Sequence, residues 1–259
     1  MLKNIVPVFI VVVGILLSWQ FVESRLDISR LDNGQTGLAA FIPYPSTIFE
    51  TFISKGDIIL SETSVTLEKA FLGFAVGTIF AVLVSVVFIY FPFIRTLYMP
   101  VAFAINSFPL VGFTPAIILI FGQGSWVSIV FVSALISYFP TLISLDAAFR
   151  EIDKELLELM NMLGASKRQI LFKLRIPLSA PYLLLSMKLS IPASIIGATM
   201  GEWLGSRNGI GQIITISLYQ LEPGLLYASL FTITLSGVFC IALLEVIQYY
   251  VFPWRRGKL

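Results

Sequence analysis

Glu158-Leu-Met-Asn-Met-Leu-Gly164, followed after nine intervening residues by Leu174-Arg-Ile-Pro177, is a polar, charged stretch set between long apolar runs. Its spacing predicts local structure. Ile152, Leu156, Leu159, Met160 and Leu163 fall at i, i+4, i+7, i+8 and i+11, one face of an α-helix, while Asp153, Lys154, Glu155, Glu158 and Asn161 occupy the others. Gly164 can adopt the left-handed conformation that ends a helix. Ser166 can then cap a second short helix carrying Lys167, Arg168, Ile170, Leu171 and Leu174, which Pro177 is expected to terminate. Two short helices joined at a glycine make a compact knob. Its apolar stripe needs a partner groove wherever the knob projects into water.

Outward from the knob the chain is greasy. Of its 259 residues, 57% are hydrophobic and only 12% charged, with a mean hydropathy of +0.92. That is too little polar surface to cover a water-soluble globule of this length. The expected fold is an all-α, polytopic membrane protein. The net charge of +2 is small and points to no nucleic-acid partner. Cys240, the single cysteine, lies in an apolar run and can form neither an internal disulfide nor a metal cluster. The absence of histidine removes the most versatile acid, base and metal ligand, so no metal site is expected.

Runs able to cross about 30 Å of hydrocarbon at about 1.5 Å per residue are Ile5 to Val22, Val65 to Tyr90, Leu97 to Phe121, Trp126 to Leu145, Leu178 to Met200 and Leu225 to Phe252. Six transmembrane helices are therefore expected. Ser18-Trp-Gln-Phe-Val-Glu after the first run lacks a small-x-small cleavage pattern, so that run reads as a retained anchor. Trp19, Trp126 and Trp254 stand at span ends, where indole rings anchor in the interface.

Charge in the loops orients the chain. With the N-terminus inside, the cytoplasm receives Lys3, Arg95, Arg150, Lys154, Lys167, Arg168, Lys173, Arg175, Arg255, Arg256 and Lys258, eleven bases. The opposite side receives five, Arg25, Arg30, Lys55, Lys69 and Arg207. Both termini and the knob are thus expected in the cytoplasm. The segment from Glu23 to Ser64 would be external, with a short interfacial helix over 47–54 capped by Ser46. Three regions follow: an N-terminal span and linker over 1–60, a five-helix core over 61–250 and a basic tail over 251–259.

The knob resembles the EAA loop of binding-protein-dependent ABC importer permeases. Glu158 matches the motif's Glu, Gly164 its Gly, and Leu174-Arg-Ile-Pro177 its Ile-x-Leu-Pro, while Leu159 and Met160 stand where Ala-Ala is usual. Ser107-Phe108-Pro109 through Pro115 to Gly122, and Gly201-Glu202-Trp203 followed by Gly209-Ile210-Gly211, resemble the same family's third-helix pattern and its segment after helix five. The likeness runs from Ser61 to Tyr250 and falls with the nitrate, sulfonate and taurine branch, the Gly-Glu-Trp wording being similar to permeases for thiamine-precursor pyrimidines or riboflavin. It implies a type I importer permease in a bacterial inner membrane, a translocation subunit that is not itself an enzyme. It also implies two ATPase subunits that bind ATP and Mg, a second permease copy forming a homodimer, an extracytoplasmic solute-binding protein and no cofactor in this chain. Coupling to the ATPase would then use Leu156, Glu158, Leu159, Met160, Leu163, Gly164, Ala165 and Pro177.

No Gly-x4-Gly-Lys-Ser/Thr loop is present to cradle nucleotide phosphates, so energy for transport must come from elsewhere. An ion-coupled carrier or channel working without an ATPase is the alternative, and it would ordinarily bury acids at mid-membrane. Lys188 and Glu245 are the charges this reading places within spans. Four residues are candidates for the pathway. Lys188 either faces an anionic group or snorkels onto a backbone carbonyl. Glu202 and Trp203, with Arg207, Asn208 and four nearby glycines, form either a re-entrant segment or an ordinary turn. Asn106 either lines the path or makes an interhelical hydrogen bond.

Overall fold

The computed structural model describes residue 14, residues 17–21 and residues 42–251, and the described chain is helical with no strand. The helices are α1 (Pro45–Tyr90), α2 (Pro92–Ser107), α3 (Leu110–Phe121), α4 (Trp126–Arg150), α5 (Lys154–Met162), α6 (Lys167–Ile170), α7 (Ile176–Gly205), α8 (Ile210–Tyr219) and α9 (Pro223–Val251). Among the described residues, α1, α4, the α6–α7 run and α9 are each long and apolar enough to cross a membrane, and the α2–α3 pair, bent by 103°, has the apolar length of a fifth, broken span or of a re-entrant pair. Most of the expected first span, along with Lys3, Arg25, Arg30, Trp254 and the tail bases, lies outside the described residues.

Two expectations are corrected here. No separate interfacial helix covers 47–54, and Ser46 is not its cap: Pro45 opens a single 46-residue helix after Tyr44. That helix is about 69 Å long, over twice the hydrocarbon thickness, so one end stands clear of the apolar layer. Tertiary contacts hold that end. Ile48 is buried, Gly224 at the start of α9 lies against Thr51, and Lys55 pairs with Glu222 at 2.6 Å. The expected straight span over 97–121 is likewise a bent pair. Pro109 has no N–H to donate and restricts the residue before it, holding Phe108 extended at φ −77° and ψ 138°.

α4 is the central helix, packed along both α1 and α7. Small residues let the backbones approach. Gly73 and Gly77 of α1 meet Ser133, Ala134 and Ser137 of α4, and Gly197 of α7 lies so close to Ser133 that an added Cβ would sit 2.8 Å from its Cα. Hydroxyls in this seam find partners across it. Ser133 donates to the Ser194 carbonyl at 2.8 Å, and the Thr141 and Ser190 hydroxyls are 2.8 Å apart. Farther out, Ile59, Ala70, Ile129, Ile195, Ile210 and Ile233 belong to a core that joins α1, α4, α7, α8 and α9.

Candidate functional site

The knob is built from local signals. Asp153 caps α5 by accepting from the Glu155 N–H at 3.0 Å, and Gly164 has φ +71°, the left-handed value the reversal requires. The Ala165 N–H donates to the Met160 carbonyl at 3.0 Å, which closes the helix end. Ser166 and Gln169 form a reciprocal capping box for α6. Pro177 does not end that helix, which corrects the sequence expectation. A π-helical turn, Leu171–Arg175, carries α6 into α7, with the Ile176 N–H reaching back five residues to the Leu171 carbonyl. The wider turn makes room ahead of Pro177, which stands in the first turn of α7 and has no N–H to lose.

Burial divides the knob into an anchor and a free face. Ile152, Ile170 and Leu171 are buried, and Arg175 donates to the Phe149 carbonyl at 3.0 Å, fastening the knob to the end of α4. Leu156, Leu159 and Leu163 are exposed, the last by 72%, while Met160 and Ala165 are half-buried; Glu158, Gly164 and Pro177 are exposed. Met162, absent from the predicted stripe, is 79% exposed, and Phe172, over whose ring Arg168 lies at 5.8 Å, is also exposed. Periodicity alone could not place these two, because they lie off the single face that it follows.

Gly164 carries a clear expectation. A Cβ there would meet nothing within 4 Å, so Gly164→Val is penalised only by backbone conformation, about 1–2 kcal/mol. Membrane insertion and yield should persist while the melting temperature in detergent falls. An unchanged melting temperature for the Val variant would show that the reversal does not depend on the glycine.

The remaining candidates are scattered, and two of the four are held by charge. Glu202 is 1% exposed and pairs with Lys69 of α1 at 2.8 Å. It also accepts from Thr66 at 2.7 Å and from the Gly211 N–H at 3.1 Å. Lys69 donates besides to the Asn208 side chain at 2.9 Å, Thr66 accepts from the Ile210 N–H at 2.8 Å, and Glu62 accepts from the Gly209 N–H. The α7–α8 turn is thereby locked onto α1. Gly209, at φ +104°, is obligatory there, because a Cβ would fall on the Glu202 carboxylate. Lys69, grouped by loop counting with the external bases, is a buried partner instead. Lys188 pairs with Glu245 of α9 at 3.0 Å, so the two charges expected within spans neutralise each other. Trp203 is exposed, and Asn106 sits at the α2–α3 break beside a cavity.

One further pair went unremarked in the sequence. Arg95 of α2 grips Asp146 of α4 through two hydrogen bonds of 2.6 and 2.7 Å, with Asp146 buried. Nothing local in the sequence links residues so far apart. Asp146→Asn removes the charge assistance, and the stability lost should be about 1.5–3 kcal/mol, read as a lower melting temperature in detergent. An unchanged melting temperature would show the pair to be idle.

The profile of the "binding-protein-dependent transport system inner membrane component" family matches residues 73–257. The chain belongs to that family. The permease is 30% identical over 226 residues to the riboflavin transport system permease protein RibX of Chloroflexus aurantiacus, covering 86% of this chain and 84% of that one. It is 25% identical over 223 residues to the formylaminopyrimidine transport permease protein ThiX of Halalkalibacterium halodurans, covering 86% and 89%. The putative aliphatic sulfonates transport permease protein SsuC of Bacillus subtilis is 24% identical, covering 85% and 80%. In fold the permease matches a chain of the MetNI methionine ABC transporter in inward-facing structures, with a TM-score of 0.60, 18% identity, and 74% of this chain and 98% of that chain covered. It is thus an ABC importer permease of the type I fold, and the ion-coupled carrier that composition left open is not favoured.

Proposed function

We propose that two copies of this permease form the pathway for a small organic solute delivered by an extracytoplasmic binding protein, and that two ATPase subunits, which bind ATP and Mg, dock on the knob. The observation that carries this reading is the free apolar face of Leu156, Leu159, Met162 and Leu163 on a helix pair anchored rigidly at its base. Four such side chains left in water are unfavourable, and a groove on a soluble partner covers them. Closure of the ATPases would push on the knob, and Arg175 and the α6–α7 run would carry that movement into the central bundle. The asymmetry of bases, eleven against the four left once the buried Lys69 is set aside, supports a cytoplasmic knob with both termini on the same side, in a bacterial inner membrane.

Reconstitution tests the proposal. Solute uptake into proteoliposomes should require the ATPase, ATP and the binding protein together, and uptake driven by an ion gradient alone would sink it. Reporter fusions after Lys173 and Lys258 should read cytoplasmic and one after Asp32 external. An external Lys173 fusion would remove the knob from the ATPase.

A further inference from the structure

The bent α2–α3 pair borders a half-open chamber. α1, α2 and α4 line this cavity of about 420 Å³, whose walls include Phe80, Tyr98, Asn106, Phe131, Tyr138 and Phe139. That volume lies in the range of small-molecule sites, which are mostly apolar with a few placed polar groups. The polar groups here are specific. The Tyr98 and Tyr138 hydroxyls are 2.8 Å apart, so one donates to the other and the acceptor keeps its own O–H for a further partner. Asn106 makes no hydrogen bond to another described residue through its amide, which leaves two donors and an acceptor. No Lys, Arg, Asp or Glu lines the cavity.

We propose that this chamber is a membrane-embedded solute subsite that takes a neutral, flat nitrogen heteroaromatic ring. Aromatic walls favour stacked or edge-on rings, and the side-chain amide and spare hydroxyl suit the mixed donors and acceptors of a ring edge. An anionic solute such as an alkanesulfonate is disfavoured, because it would shed water with no cation to meet it. A lipid chain is disfavoured too, because it would leave the Asn106 amide and the spare hydroxyl without partners. The inference rests on the reading of the chain as a solute-conducting permease.

The test uses the permease purified with its ATPase in lipid nanodiscs. Binding of riboflavin, followed by its fluorescence, and of radiolabelled 4-amino-2-methylpyrimidine is compared with ethanesulfonate. At least one ring probe should bind, and Asn106→Leu and Phe131→Ala, both at exposed positions and both checked for an unchanged gel-filtration profile, should weaken it tenfold or more. Ethanesulfonate should not bind. The proposal is overturned if neither ring probe binds, if both variants bind the rings as the parent does, or if ethanesulfonate binds instead. It is overturned equally if native mass spectrometry finds a phospholipid held by the parent and lost from Phe131→Ala. Failure of the ATPase to co-purify with the parent protein would count against the permease reading itself, separately from the subsite.

Discussion

Lys69→Met is expected to be the most damaging single change, costing about 3–5 kcal/mol. It strands the Glu202 carboxylate, 1% exposed, without the ammonium that stands 2.8 Å away. The hydrogen bonds from Thr66 and the Gly211 N–H remain, yet they cannot neutralise a charge held out of water. Replacing both partners should undo much of the harm. In Lys69→Met with Glu202→Gln, the amide oxygen still accepts from Thr66 or Gly211 while the buried charge is gone. Thermal unfolding followed by gel filtration in detergent should rank the parent first, the double variant next and Lys69→Met last. A single variant as stable as the parent, or a double variant no better than the single, would show that the pair does not hold the α7–α8 turn.

Leu159→Asp combined with Leu163→Asp should release the ATPase from the permease in a detergent pull-down. Burial of each such side chain in a partner groove contributes about 1.5–3 kcal/mol, so losing two reduces affinity by well over a hundredfold. Both positions are exposed in the single chain, so the substitutions leave its own packing intact. Lys154→Ala or Lys167→Ala should weaken capture little, because exposed ion pairs contribute under about 1 kcal/mol. The opposite order, with the lysine variants releasing the ATPase and the aspartate variants retaining it, would assign the interface to charge.

How much was legible beforehand differs between the two regions. Much of the knob could be read from the chain, because a cap, a positive-φ glycine and helical periodicity act within a few positions of one another: Gly164 and Ser166 behave as their neighbours require, while the Asp153 cap and the Gln169 half of the capping box came from the structure. Its one misread element, Pro177, depended on a π-turn that redistributes hydrogen bonds over the preceding residues. The buried charges were not legible in the same way. Glu202 was singled out as a polar residue beside glycines, but its partner lies 133 positions earlier, and no periodicity spans that distance.

By itself, then, the sequence determined the class, four of the apolar spans and most of the knob, since apolar run length and short-range helix signals are properties of contiguous residues. Only the tertiary structure decided that α1 runs unbroken from Pro45 to Tyr90, that Lys69 clasps Glu202, that Arg95 grips Asp146, and that the bent α2–α3 pair borders an aromatic chamber. Each of these depends on which helix faces which. In a chain whose helices are apolar nearly all round, hydrophobic pattern cannot choose the neighbours, so close contacts between small residues and the few buried charges choose them.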